Sequence, residues 1–254
     1  MAFDVAADVY DRFMGVWSRP LAARFADFAA IEPAMHVIDV GSGPGSLTGE
    51  LVTRLGPEHV SAVDPSAPFV AAIADRYPGV DVRRASAEDL PYPAASFDAA
   101  MAQLVVHFMT DAVVGLREMA RVVRPNGVVA ACVWDFGGGR GPLGPFWEAA
   151  RELDPDVVDE SRLAGARSGH LAQLLEAAGL EEIAASELAL SRDVDGFDAW
   201  WAPFMDGVAP SGAYVKSLDP ERQAALRERC RALLPTGPFV LTAVAWAAKG
   251  RVRR

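Results

Sequence analysis

Cysteine is nearly absent from this chain. Two occur in 254 residues, Cys132 and Cys230, too few for a disulfide framework or a four-ligand zinc site. Histidine is also scarce, with four; no His/Asp/Glu group has metal-ligand spacing, so no metal is expected. No run of 18 apolar residues escapes a charge. The opening MAFDVAADVYDR is acidic where a signal peptide would be basic, so neither membrane insertion nor secretion is expected, and the compartment read from this is cytoplasmic. Positive charge is in deficit, with 24 Lys and Arg against 34 Asp and Glu, a formal charge of −10. That balance repels a phosphate backbone and argues against nucleic acid as a partner. Internal repeats and low-complexity tracts are lacking. What remains is ordinary globular composition, 51% hydrophobic and 23% charged, in a chain long enough to bury a sizeable core.

Apolar side chains recur at helical spacing over residues 4–30 (Val5, Val9, Tyr10, Phe13, Met14, Trp17, Leu21, Phe25, Phe28), with Pro20 expected to split the stretch or start its second half. Strands and helices then alternate. Strands are expected at Met35–Val40, His59–Asp64, Val80–Arg84, Phe97–Gln103 and Val128–Trp134. Helices are expected at Leu47–Leu55, Ser66–Tyr77 and Asp111–Val123. This is the pattern of βαβ units on a parallel sheet covered on both faces. Gly137–Gly144 reads as a mobile connection, Phe146–Leu153 and Gly169–Ala178 as helices, and Glu182–Ser191 and Phe239–Ala247 as the sixth and seventh strands. Between those strands lie an aromatic group (Phe197, Trp200, Trp201, Phe204) and a charged helix, Pro220–Leu234. An excursion of about 40 residues is too long for a plain connection and reads as a helical cap. Lys249–Arg254 reads as a solvated tail.

The chemistry-bearing signal is Asp39-Val40-Gly41-Ser42-Gly43-Pro44-Gly45. A buried strand ending in glycines before a helix lets backbone approach a ligand closely. Dinucleotide folds use a similar turn, and many glycine turns bind nothing. Asp64, closing the next strand, is placed to chelate two ribose hydroxyls, or else to cap the following helix. Together the two features favour an adenosine-containing ligand. The third glycine of the dehydrogenase fingerprint is missing, because Ser46 occupies its position.

Asp39–Gly45 resembles the first motif of class I S-adenosylmethionine-dependent methyltransferases, and Ala62-Val63-Asp64-Pro65-Ser66 the second. Ala85–Pro93 followed by Ser96-Phe97-Asp98 resembles the third, and Leu116–Gly127 the helix and turn before strand five. The nearest group is that of ubiquinone/menaquinone-type and small-molecule methyltransferases. The resemblance implies an α/β, Rossmann-like, seven-stranded and mostly parallel sheet with strand seven antiparallel and helices on both faces. An N-terminal helical lid (1–30), a core (31–192 and 236–250) and a helical cap (193–235) are expected. It implies S-adenosylmethionine as cofactor, S-adenosylhomocysteine as its product, and no metal.

By the same resemblance Gly41, Ser42 and Gly43, with Asp39 in their motif, hold the methionyl part through backbone. Asp64 binds the ribose, and Pro65 lies on an adenine face. Ala87 and Glu88 meet the adenine edge with Ser86 beside them, and Gln103 sits near the methionyl group. Two departures stand out. Ser86 takes a position where aspartate is common in the family, and Asn126 replaces a turn glycine that needs a left-handed backbone, which asparagine tolerates. The implied reaction is methyl transfer to a small, largely apolar acceptor, a specialised metabolite or quinone-like molecule, by a monomer or homodimer. The alternatives are binding without transfer and a rearrangement promoted by the bound cofactor. His107, four residues past Gln103, is the candidate base for a protonated acceptor, or a histidine bonded within its own loop. Tyr10 and Trp17 face the sulfonium or simply pack the core. Trp134, Phe136, Trp200, Trp201 and Phe204 line an acceptor pocket or belong to the core.

Overall fold

The structure is a computed structural model, described here for residues 14–207 and 209–253. A seven-stranded sheet is built around apolar central segments: β1 (Val37–Val40), β2 (Val60–Asp64), β3 (Asp81–Arg84), β4 (Phe97–Gln103), β5 (Val123–Trp134), β6 (Glu181–Val194) and β7 (Phe239–Arg251). Their order is β3-β2-β1-β4-β5-β7-β6. Neighbours from β3 to β5 pair in parallel, while β7 runs antiparallel to both β5 and β6. The central strands are covered on both faces, β1 being buried at all four positions. The edge strand β3 is mostly exposed. The expected fold class is the observed one.

The helices are α1 (Val16–Ala29), α2 (Ser46–Leu55), α3 (Ala67–Arg76), α4 (Ala112–Val122), α5 (Gly144–Leu153), α6 (His170–Ala177), α7 (Phe197–Trp201), α8 (Ala209–Ser217) and α9 (Pro220–Leu233). Chain direction across the sheet reverses between β1 and β4, so right-handed crossovers put α2 and α3 on one face and α4 on the other. The same reversal opens a crevice at the carboxyl ends of β1 and β4, where ligands of such sheets bind. α1 lies on α2, burying Trp17, Leu21, Phe25 and Ala29 on one stripe. It runs through Pro20 without a break. Proline there removes only the donor that would reach the carbonyl of Val16, at the helix start.

Two further expectations change. Lys249–Arg251 is part of β7 and not a solvated tail. Lys249 pairs with Ala130 on one side and Ala184 on the other, and Arg251 with Val128 and Glu181. Beyond the strand, the N–H of Val252 donates to the carbonyl of Gly127 at 3.0 Å, and that of Asn126 to the carbonyl of Val252 at 2.9 Å. Gly137–Gly144 is a hydrogen-bonded loop folded on buried Asp135. That carboxylate accepts from the Gly138 N–H at 2.8 Å and from the Arg140 guanidinium at 2.6 Å, and the Gly137 N–H donates to the carbonyl of Ala166.

Candidate functional site

A cleft of about 300 Å³ opens at the carboxyl ends of β1, β2 and β4. It gathers Asp39, Gly41, Ser42, Gly43, Asp64, Pro65, Ser86, Ala87, Glu88 and Gln103, ten of the residues that the sequence singles out. The turn after β1 explains the glycines. Gly41 and Gly43 have φ of +71° and +53°, conformations open to glycine at little steric cost. A Cβ on Gly41 would stand 2.2 Å from Val105 Cγ2, whereas one on Gly43 would meet nothing within 4 Å. Gly41 is therefore fixed by packing, and Gly43 leaves open room toward the cleft.

The N–H groups of this turn are already used. Those of Gly41 and Ser42 both donate to the carbonyl of Val63, at 2.9 and 3.0 Å. The Gly43 N–H donates to Asp64 Oδ2 at 2.8 Å, and the Ser66 N–H to Asp64 Oδ1 at 2.8 Å. What the glycines offer a ligand is close approach, not free donors. Asp64 is thereby locked in orientation. Burial raises its pKa, while the bonds from Ser66 and Gly43 work against that rise.

Two buried acceptor atoms in the cleft have no partner among the described residues. Asp39 receives the Thr48 hydroxyl on Oδ2 at 2.7 Å, but its Oδ1 is unpartnered. Burial pushes its pKa up to about 7, opposed by the Thr48 bond and reinforced by the charge of Asp64. Gln103 donates through Nε2 to the carbonyl of Ser18 at 2.9 Å, which fixes its amide and leaves Oε1 buried and unpartnered. Unpaired buried acceptors are costly. A ligand that brings donors, above all a cationic one, relieves both.

Glu88 is spent on structure. Its Oε1 accepts the Thr110 N–H at 2.7 Å and the Asp111 N–H at 3.4 Å, tying the loop after β3 to the one before α4. Sequence reasoning missed Ser18, Phe69, Phe108 and Met109, which also line the cleft. No short-range pattern marks Ser18, Phe108 or Met109, because α1 and the loop after β4 arrive from distant parts of the chain; Phe69, in the first turn of α3 just past Asp64, reads as an ordinary apolar helix position. Ser18 is held to the glycine loop's helix by a 2.9 Å bond between its hydroxyl and that of Ser46.

Other expected residues lie elsewhere. His107 does not line the cleft. Its ring packs at 3.9 Å from Phe108 and 5.7 Å from Phe136, with Nδ1 buried and unpartnered. Burial pushes its pKa down to about 3, so at neutral pH it is an uncharged and weakly basic imidazole. It does not line the cleft where the expected base would stand, and its Nδ1 makes no hydrogen bond within its own loop. Trp17 does not reach the cleft either; it meets Trp134 edge to face at 6.3 Å. Trp201 and Phe204 pack around Phe146, with Phe204 stacked on it at 4.6 Å. No described residue of 193–235 lines the cleft. Tyr10 lies outside the described residues. Among the described residues no group of three His, Cys, Asp or Glu side chains could hold a metal ion, and no helix is long and apolar enough to cross a membrane.

Known proteins resemble this arrangement. The family described as "Methyltransferase domain" matches residues 38–131. Nocamycin O-methyltransferase of Saccharothrix syringae is 33% identical over 133 residues, covering 50% of this chain and 48% of that protein. Chloroplastic 2-methyl-6-phytyl-1,4-hydroquinone methyltransferase 2 of Oryza sativa subsp. japonica is 34% identical over 127 residues, covering 46% and 34%. The match thus spans less than half the length of either relative. Among solved structures, an N-methyltransferase of Haemonchus contortus in complex with phosphomonomethylethanolamine and S-adenosylhomocysteine superposes with a TM-score of 0.58 at 14% identity, covering 97% of this chain and 57% of that one. That likeness shows the fold.

S-adenosylmethionine is the cofactor of this family, and the cleft fits it. Asp64 would offer a fixed carboxylate to ribose hydroxyls, the open face of Gly43 would admit close approach, and Asp39 Oδ1 with Gln103 Oε1 would receive an ammonium. The matched motifs fall on the strand ends that build this cleft, and what the comparisons show is a methyltransferase domain over residues 38–131.

Proposed function

We propose that the protein transfers a methyl group from S-adenosylmethionine to a small, largely apolar organic acceptor. The observation that carries the cofactor half is the pairing of a backbone-locked Asp64 with two unpartnered buried acceptors, Asp39 Oδ1 and Gln103 Oε1, in one cleft. When bound, S-adenosylmethionine supplies a methyl group on a positively charged sulfur, open to in-line attack. The chain's own part is positioning and exclusion of water, which can account for much of the acceleration of such a displacement. Gln103, anchored by the carbonyl of Ser18, holds its acceptor oxygen in place, and Phe108 and Met109 wall the cleft with apolar surface. His107 is too weak a base to take a proton at neutral pH, so the reading favours an acceptor that arrives already ionised or needs no base. Nocamycin and hydroquinone methyltransferases among the relatives support the small-molecule class. Residues 1–30 are proposed as a lid, with 31–192 and 236–250 as core and 193–235 as a cap.

The test is calorimetric titration of wild type and Asp64→Ala with S-adenosylhomocysteine, with NAD as control. Micromolar binding lost in the variant and absent for NAD supports the reading. Tight NAD binding, or none of either ligand by folded wild type, overturns it. With an acceptor in hand, one S-adenosylhomocysteine formed per product separates methyl transfer from a cofactor-promoted rearrangement.

A further inference from the structure

A second cavity, of about 160 Å³, lies across the first turn of α1 from the cofactor cleft: Trp17 lines one and its neighbour Ser18 the other. Its walls include Trp17, Leu143, Trp200, Phe204 and Leu241, and a single basic side chain, Arg192. The place of that arginine is unusual. Along β6 the row Leu188, Leu190, Arg192, Val194 points inward by strand alternation, and its three apolar members are buried. The position calls for an apolar residue. Arg192 is half-buried there, its guanidinium 5.6 Å from the centre of the Trp17 ring. It makes no ion pair or hydrogen bond among the described residues, although the chain carries ten more acidic than basic side chains. A guanidinium held against aromatic walls without a counter-charge is poorly compensated, and its planar fork matches a carboxylate.

We infer that this cavity takes the anionic end, a carboxylate, of an acceptor with an apolar or aromatic body. The inference rests on the methyltransferase reading and narrows its substrate class. Because α1 stands between the cavity and the cleft, with Trp17 facing one and Ser18 the other, the pair suits an elongated acceptor whose charged end is remote from the atom that is methylated.

The probes are 2-naphthoate and its uncharged counterpart 2-naphthamide, titrated calorimetrically into the full chain saturated with S-adenosylhomocysteine. Wild type should prefer naphthoate by about tenfold, the effect of one charge-assisted pair. Arg192→Met should abolish that preference while leaving naphthamide and S-adenosylhomocysteine binding intact. Arg192→Gln serves the same end if the methionine variant does not fold. Trp200→Ala should weaken both probes alike. Equal affinity for the two probes in wild type, no binding of either, or a preference that survives loss of Arg192 would overturn the assignment. Failure of wild type to bind S-adenosylhomocysteine would instead sink the methyltransferase reading, with the probe comparison still readable on the free protein.

Discussion

Asp39 and His107 are two buried titratable side chains that the fold treats oppositely. Asp39 has one hydroxyl partner and a neighbouring carboxylate, and its pKa is pushed up from 3.8 to about 7. Between those values the folded protein holds a proton that the unfolded chain has lost. Asp39 therefore lowers stability progressively as pH rises from about 4 to about 7, with no further loss above. The interval sets a ceiling of about 4 kcal/mol at roughly 1.4 kcal/mol per pH unit. Asp39→Asn should remove this dependence. In urea denaturation of the ligand-free protein the variant should gain on wild type between pH 5 and pH 8, while binding S-adenosylhomocysteine more weakly. A constant stability difference across that range would show that Asp39 titrates normally. His107 runs the other way: burial lowers its pKa to about 3, so its contribution is present above about 6.5 and lost as pH falls toward 3. Its imidazole NMR signals should not titrate between pH 5 and pH 8, and a midpoint near 6.5 would contradict the packing between Phe108 and Phe136.

The turn from β1 into α2 separates two glycines that look equivalent in the sequence. Both have positive φ, so alanine at either carries a backbone strain of about 1–2 kcal/mol. At Gly41 the new methyl would also drive into Val105, and Gly41→Ala should lower the melting temperature sharply. At Gly43 the methyl enters open space, so Gly43→Ala should stay folded and lose affinity for S-adenosylhomocysteine. Paired thermal melts and titrations check this, and equal melting losses would mean that Gly43 is also packed. The same contrast marks what the sequence makes legible. Strands such as Phe97–Gln103 and the loop glycines are encoded locally, by apolar runs and residues that suit only special backbone conformations. The placements of Trp17 and His107 depend on which neighbours long-range packing brings, and no local spacing distinguishes a cleft wall from core. Lys249–Arg251 misled for a related reason. A charged Lys-Gly-Arg sequence reads as surface, yet it lies between β5 and β6, with the Lys249 ammonium donating to the carbonyl of Phe28 at 2.7 Å.

Across the whole molecule, α1 ties the cleft to the far side of the sheet. Its first turn meets Gln103 and Ser46 through Ser18, and its last turn meets β7 through Phe28 and Lys249. Its apolar stripe is buried between these ends. A ligand that satisfies Gln103 Oε1 fixes the side chain that holds Ser18, so cofactor binding should order α1 as well as the glycine turn. Binding to the native state alone also adds about 2.7 kcal/mol at a hundredfold excess over Kd, which for a chain of this size is a melting shift of roughly 5–10 °C. Hydrogen exchange should then slow at residues 16–22, 41–49 and 103–110 on adding S-adenosylhomocysteine. The β6–β7 pair, which lines no part of the cleft and is joined by a long antiparallel register, should change little. If 16–22 exchanged at the same rate with and without ligand while 41–49 slowed, α1 would be a fixed wall rather than a responsive one, and the Ser18–Gln103 bond would be packing without coupling.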